Sequence, residues 1–255
     1  MLHCGAVRDT PSHQGISMSL LARLSTSLVM LALMASLLFP SNMLAADLPA
    51  AAPPAGLRIA TAGHSFHLFM PGILKELVKS AGIEGHEQVT AQMIGGSRVI
   101  QHWDLADDKN KVKPALKTGK VDVLTLSPIY LPDAGIENFV KLAIEHNGET
   151  RTLLQEFWLP YDIYALNYQK EKPKPVDRNS RTAEELQKES QPYFASIEEH
   201  VAALNKQVGK PAVYVVPVGQ AAIALREKII AGQAPGLKVQ NDLFTDPIGH
   251  ATAPL

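Results

Sequence analysis

Cysteine is almost missing from this chain: Cys4 is the single one among 255 residues. No internal disulfide can form, and no cysteine-ligated metal site can be assembled. An excess of one charge is missing too, since 24 Lys and Arg face 25 Asp and Glu with the signs scattered. That excludes the basic stripe a phosphate backbone requires, so nucleic acid is not an expected partner. No His-x-x-x-His or His-Glu-x-x-His helix occurs, and no Gly-x-Gly-x-x-Gly or phosphate loop. Neither a metal nor a nucleotide cofactor is expected. The uncharged, mostly apolar run from Leu28 to Phe39 has about 12 of the roughly 20 residues a spanning helix needs, so no stable membrane anchor is expected.

What that run resembles is a leader. It follows Arg23 and precedes the small residues Ala45 and Ala46, the outline of a secretory signal peptide. Residues 1–46 are therefore expected to be removed near Ala45 or Ala46, with the protein exported to the periplasm or the cell exterior. Met18 stands nearer this run than Met1 does and offers a second start. Cleavage would also remove Cys4. Residues 47–56, rich in Ala and Pro and without period, read as a linker. Residues 57–255 remain as one domain, large enough for a single sizeable core.

Within that domain the pattern alternates. Leu57–Ala62 predicts a strand closed by Gly63, and Phe69, Ile73, Leu74, Leu77 and Val78 fall at helical spacing within Phe66–Ser80. Further strands are predicted over Val89–Ile94, Val121–Leu126, Arg151–Leu159 and Ala212–Val218. Helices are predicted over Ile136–Ile144, Ile197–Val208 and Gln220–Ala231, and Lys170–Arg181 reads as a surface loop. Repeated βα steps imply a central parallel sheet of about five strands in a three-layer α/β/α sandwich. Ligand sites in such sheets gather at the carboxyl ends of the strands.

Two stretches carry chemistry. Gly63-His64-Ser65-Phe66 stands where the first strand passes into the first helix. A serine there projects above the strand end, where free N–H groups can donate to a developing oxyanion; the plain alternative is a helix N-cap. Asp246-Pro247-Ile248-Gly249-His250 sets a carboxylate and an imidazole close together after the last apolar segment. A serine hydroxyl needs such a base, and a carboxylate behind it fixes the tautomer; the alternative is a surface loop with an incidental histidine. His67 faces either the site or solvent, and His102 and Trp103 form either a substrate wall or buried structure. Trp158 to Asp162 close the fourth strand at the ligand-binding edge, which makes Trp158 and Asp162 expected substrate-binding residues.

At these residues the chain resembles the SGNH (GDSL-like) hydrolases, serine esterases and lipases whose first block is a Gly-Asp/Asn-Ser turn and whose last is Asp-x-x-His. The resemblance runs from Leu57 to His250 and implies an SGNH/flavodoxin-like sheet, an ester substrate, small-molecule or glycan, and no cofactor. By the likeness Ser65 is the nucleophile, His250 the base and Asp246 its orienting acid. Gly95-Gly96-Ser97 is similar to the second block, so the N–H groups of Gly96, then Gly95, are expected to join that of Ser65 in an oxyanion hole. A small acyl group on a carbohydrate is one substrate of this class.

The sequence departs from the pattern in three places. His64 replaces Asp or Asn. Asp246 and His250 are separated by three residues rather than two, with Asp242 as a fallback orienter. Leu126-Ser127-Pro128-Ile129 replaces Gly-x-Asn-Asp, so the Asn donor is missing, at a cost of about 3 kcal/mol in the transition state. Ser127 offers a hydroxyl from that loop and Asn147 lies beyond the next helix; both, with His64, are expected to touch substrate. The departures leave an alternative, a catalytically degenerate module of the same fold that binds a carbohydrate or other ligand. In this family a closing helix follows the last block, whereas five residues follow His250. Either the chain is truncated or one sheet face is expected to be covered differently, and an exposed apolar face would predict poor solubility or an oligomer.

Overall fold

The computed structural model describes residues 52–162 and 177–252. The expected leader, half of the linker and the first part of the Lys170–Arg181 loop lie outside them. Five strands form one sheet: β1 (Arg58–Gly63), β2 (Glu87–Met93), β3 (Val123–Leu126), β4 (Arg151–Gln155) and β5 (Val213–Val216). All neighbours are parallel, in the order β2-β1-β3-β4-β5. The chain steps outward from β1 to β2 and then crosses back over β1 to β3. Right-handed crossovers therefore put α1 (Met70–Ser80) on one face of the sheet, and α2 (Val99–Trp103), α3 (Val112–Lys117), α4 (Ala134–His146) and α5 (Ala183–Val208) on the other. A sixth helix, α6 (Val218–Ile230), follows β5. The architecture is a three-layer α/β/α sandwich, and the order reverses between β1 and β3, where such sheets open a ligand crevice.

The two faces of the sheet are unequally filled, as the strand period of two makes visible. Ala60 and Ala62 of β1, Leu124 and Leu126 of β3, Leu154 of β4 and Val213 of β5 point into the main core. There they meet Val99 of α2, Val112 and Leu116 of α3, Ile136, Phe139 and Val140 of α4, and Tyr193, Phe194 and Ile197 of α5. Gly135 lets α2 and α4 touch, because a Cβ there would lie 2.3 Å from the Ile100 nitrogen. The alternate residues Ile59, Val123, Leu153 and Val216 floor a cavity of about 330 Å³ beneath Met70, Pro71 and Leu74 of α1. No residue of α1 is fully buried, so this face is thinly covered.

Each expected strand is found, and the helices differ mainly at their starts. Phe66 to Phe69 do not begin the first helix; they make a tight turn in which Leu68 N–H donates to His64 O at 3.1 Å and Met70 N–H to His67 O at 3.0 Å. Helix α5 begins at Ala183 rather than Ile197, because Thr182 and Glu185 close a reciprocal capping box there. The strand expected over Arg151–Leu159 ends at Gln155. Among the described residues no helix is long and apolar enough to cross a membrane.

Candidate active site

Everything that can act lies at the carboxyl edge of the sheet. Strand β1 ends at Gly63 and turns at once through His64 and Ser65. Gly63 is needed here for space rather than for an unusual dihedral, since a Cβ would stand 2.9 Å from the His67 ring. The loop after β2 runs alongside, tied by Ile94 N–H to Gly63 O at 3.2 Å, and Gly96 takes the left-handed conformation at φ 59°. Asp133 holds the start of α2 behind this loop, its carboxylate accepting from Val99, Ile100 and Gly135 N–H at 2.9, 2.9 and 3.0 Å.

The structure brings Ser65, His250 and Asp246 together although 180 residues separate the two stretches. Ser65 Oγ lies 2.6 Å from His250 Nε2, and His250 Nδ1 lies 2.5 Å from Asp246 Oδ2. The extra residue between Asp246 and His250 is absorbed by Gly249 at φ 107°. That turn folds the carboxylate back, so Oδ1 accepts from Gly249 N–H at 2.9 Å and His250 N–H at 3.1 Å while Oδ2 faces the ring. Partial burial works against the Asp246 charge, but the ring and both N–H groups outweigh it and hold the carboxyl below its ordinary value. Asp242, the fallback, caps Lys238 and Val239 N–H instead.

Among the described residues, three serine–histidine pairs occupy this edge, and the third partner of each histidine separates them. Beside His250, Asp246 can only accept, so Nδ1 carries the proton and the Nε2 lone pair faces Ser65. His64 is the reverse: its Nδ1 accepts from Phe66 N–H at 3.3 Å, so Nε2–H donates to Ser127 Oγ at 3.1 Å. His102 is reversed too. Gln92 Oε1 takes Lys111 N–H at 2.8 Å, so its amide donates to His102 Nδ1 at 3.1 Å, and Nε2–H donates to Ser97 Oγ at 2.7 Å. Burial, the largest cause in both, lowers the pKa of His64 to about 3 and of His102 to about 4, with neighbouring histidines adding to it. Of the three, the pair Ser65–His250 alone has a base aimed at a hydroxyl.

The remaining expectations are redistributed. His64 is fully buried and takes over the Asp or Asn position as an acceptor for the turn's own N–H, so it does not touch substrate. Ser127 is buried against it. Asn147 is at the wrong end of the sheet: it closes the C-terminus of α4 and donates to Val121 O at 3.0 Å, before β3 begins. Trp158 and Asp162 stand at the right edge, and each is engaged by the protein itself. Trp158 Nε1–H donates to Gly249 O at 2.8 Å, and Tyr161 N–H to Ile248 O at 2.9 Å. Both Asp162 oxygens are taken by Arg226, at 2.8 and 2.7 Å, in a pair buried from solvent. His102 and Trp103 form no substrate wall, since His102 is buried and Trp103 packs edge-on against Phe139.

Sequence reasoning missed Arg178 and Phe66. Arg178 donates to Asp246 O at 3.2 Å and Pro247 O at 2.6 Å, clamping the loop from a segment without periodic signal. The Phe66 ring, one residue past Ser65, lies 4.7 Å from the His250 ring and 4.7 Å from Trp158. At Gly95, the second oxyanion candidate, a side chain would meet nothing within 4 Å. Among the described residues, the Ser65 N–H has no protein partner, and no cluster of His, Cys, Asp and Glu could hold a metal.

No protein-family model matches the sequence, and no curated protein matches it significantly. Solved structures do resemble it. One, described as a GDSL-like lipase from Parabacteroides merdae, shares 14% identity at a TM-score of 0.42, over 78% of this chain and 90% of that one. Another is the periplasmic domain of a lipopolysaccharide acetyltransferase from Salmonella ser. Paratyphi A, with 10% identity and a TM-score of 0.42 over 78% and 79%.

Proposed function

We propose that this chain is a serine hydrolase of SGNH type that cleaves an ester through an acyl-enzyme. The observation that carries the reading is the His250 lone pair, fixed by Asp246 and held 2.6 Å from Ser65 Oγ. Ser65 attacks the ester carbonyl while its proton passes to His250 Nε2, and Asp246 stabilises the imidazolium. The carbonyl oxygen becomes an oxyanion received by Ser65 N–H and the glycine loop at Gly96, with Gly95 beside it. His250 returns the proton to the leaving alcohol, and water repeats the sequence to free the acid.

The neighbouring histidines support this assignment by being unsuited to the task. His64 and His102 present N–H, not a lone pair, to their serines, which leaves one nucleophile. With the third-block Asn absent, the hole has fewer donors, and a modest rate is expected. A silent binding module is the competing account, but it gives no reason for an aspartate to fix this tautomer. If the leader acts as the sequence suggests, the substrate is met outside the cytoplasm, and a small acyl group on a carbohydrate remains our suggestion.

The test is chemical. A fluorophosphonate probe should label wild-type protein at Ser65 and p-nitrophenyl acetate should be turned over, with both lost in Ser65→Ala at an unchanged thermal midpoint. Full activity in folded Ser65→Ala ends the proposal; saturable glycan binding with neither labelling nor turnover favours the binding module.

A further inference from the structure

We propose that His67 and Gln155 are a positioning pair that fixes Phe66, the residue following Ser65, and through it the placement of Ser65. The proposal rests on the reading of Ser65 as nucleophile. Gln155 ends β4, two strands away from β1, yet both ends of its side chain engage the nucleophile turn. Its Nε2 donates to Phe66 O at 2.8 Å, and its Oε1 lies 2.7 Å from His67 Nδ1. The Phe66 carbonyl can only accept, which orients the amide, and the amide oxygen then demands a proton on Nδ1.

From that point hydrogen bonding continues across the sheet. With Nδ1 protonated, His67 Nε2 is a lone pair and must accept from Thr125 Oγ1, 3.0 Å away. The Thr125 hydroxyl also lies 3.0 Å from the Thr61 hydroxyl, within hydrogen-bond reach. Gln88 Nε2 donates to Thr61 Oγ1 at 3.1 Å. A chain of hydrogen-bonded side chains thus runs from β2 through β1 and β3 to His67, passes to Gln155 of β4, and ends on the carbonyl of Phe66. Buried His67 remains neutral in it, since desolvation lowers its pKa more than Gln155 raises it.

Packing alone does not call for this chain. The same sheet face is otherwise apolar, with Ile59, Val123, Leu153 and Val216 around it, and a polar side chain there is tolerated only when satisfied. What the chain adds is an anchor. Phe66 N–H is held by His64 and Phe66 O by Gln155, so the residue after Ser65 is tethered on both sides. The Phe66 ring in turn packs on His250. Loosening Phe66 therefore shifts nucleophile, oxyanion donor and base together.

The experiment compares Gln155→Leu, His67→Asn and His67→Gln for fluorophosphonate labelling rate, kcat and KM across pH, and thermal midpoint. Asparagine places its amide where Nδ1 stands and keeps a donor to Gln155, whereas glutamine reaches the Nε2 position and loses it. Gln155→Leu and His67→Gln should lower labelling rate and kcat by about tenfold or more, with KM and the acidic limb of the pH profile unmoved, while His67→Asn keeps most of the activity. Folded Gln155→Leu that labels at the wild-type rate overturns the proposal. Equal losses in the two His67 variants also overturn it, because they would mark a role in volume alone, and this comparison decides the matter if Gln155→Leu does not fold. Wild-type protein that neither labels nor turns over sinks the nucleophile reading and this proposal with it.

Discussion

Asp246→Asn gives the sharpest test of the tautomer argument, because it keeps most of the hydrogen bonds and should still abolish most of the chemistry. Asp246 Oδ1 accepts from two backbone N–H groups, those of Gly249 and His250. In the variant the amide oxygen must stay there, since turning the NH₂ toward two donors would leave both unsatisfied at about 1–3 kcal/mol each. The NH₂ then faces His250 Nδ1, which becomes an acceptor, and the ring proton moves to Nε2. At 2.6 Å from Ser65 Oγ that nitrogen now donates to the hydroxyl instead of deprotonating it. Adding the lost stabilisation of the imidazolium, kcat should fall about 10⁴-fold, or ~5.4 kcal/mol of barrier. The thermal midpoint should barely move, as both backbone bonds persist. Asp246→Ala leaves the ring free to choose its tautomer, so Asn should be at least as damaging as Ala, the reverse of what counting retained hydrogen bonds would give. Turnover of p-nitrophenyl acetate measures the loss and ¹⁵N NMR of His250 reports the protonated nitrogen. Asp246→Asn labelled by fluorophosphonate at more than about a tenth of the wild-type rate, or with the proton still on Nδ1, would refute the reasoning.

Two further outcomes follow from buried groups. Asp162→Ala leaves the Arg226 guanidinium without its bidentate partner and should cost about 3–5 kcal/mol in urea unfolding; an undiminished midpoint, or a KM effect without a stability loss, would contradict the structural role assigned to it. His64 and His102 stay neutral when folded, with pKa lowered to about 3 and about 4, so the unfolded chain binds their protons first as pH falls below about 6.5. Their full contribution is present above that pH and is lost at about 1.4 kcal/mol per unit for each, so roughly 3–4 kcal/mol should be gone at pH 5; equal urea midpoints at pH 7 and pH 5 would dismiss this.

Where the chain repeats a period over enough residues, its fold was legible. The five strands were readable because Val213, Val215 and Val216, or Leu124 and Leu126, concentrate β-branched or apolar bulk between turn residues. Helices α2 and α3, with five and six residues, are too short for a 3.6-residue period to register. The early start of α5 was written in Thr182 and Glu185, but Ser190 among its buried residues and Pro192 inside it interrupt the apolar stripe, so periodicity began only at Ile197. The pattern of β4 extends past its end because Phe157 to Leu159 are buried without belonging to the ladder. Burial and strand pairing leave the same apolar signature.

The site was legible to the extent that a histidine's controlling partner was near it in sequence. Asp246 stands four residues before His250, so the pair that can act was visible, and Gly249 between them supplies the turn that makes the longer spacing work. The partners that disqualify His64 and His102 could not be seen that way. His64 is set by the backbone N–H of Phe66, which no side-chain pattern records, and His102 by Gln92, whose orientation depends in turn on Lys111 N–H. Residue type places a serine beside a histidine three times at this edge; only the proton on each ring says which of them is a base. Asp162 makes the same point from the opposite direction, since it lies seven residues beyond the end of β4 and both of its oxygens are taken by Arg226, 64 residues on. Proximity to the carboxyl edge selects residues for attention, and a free lone pair or an unsatisfied donor decides among them.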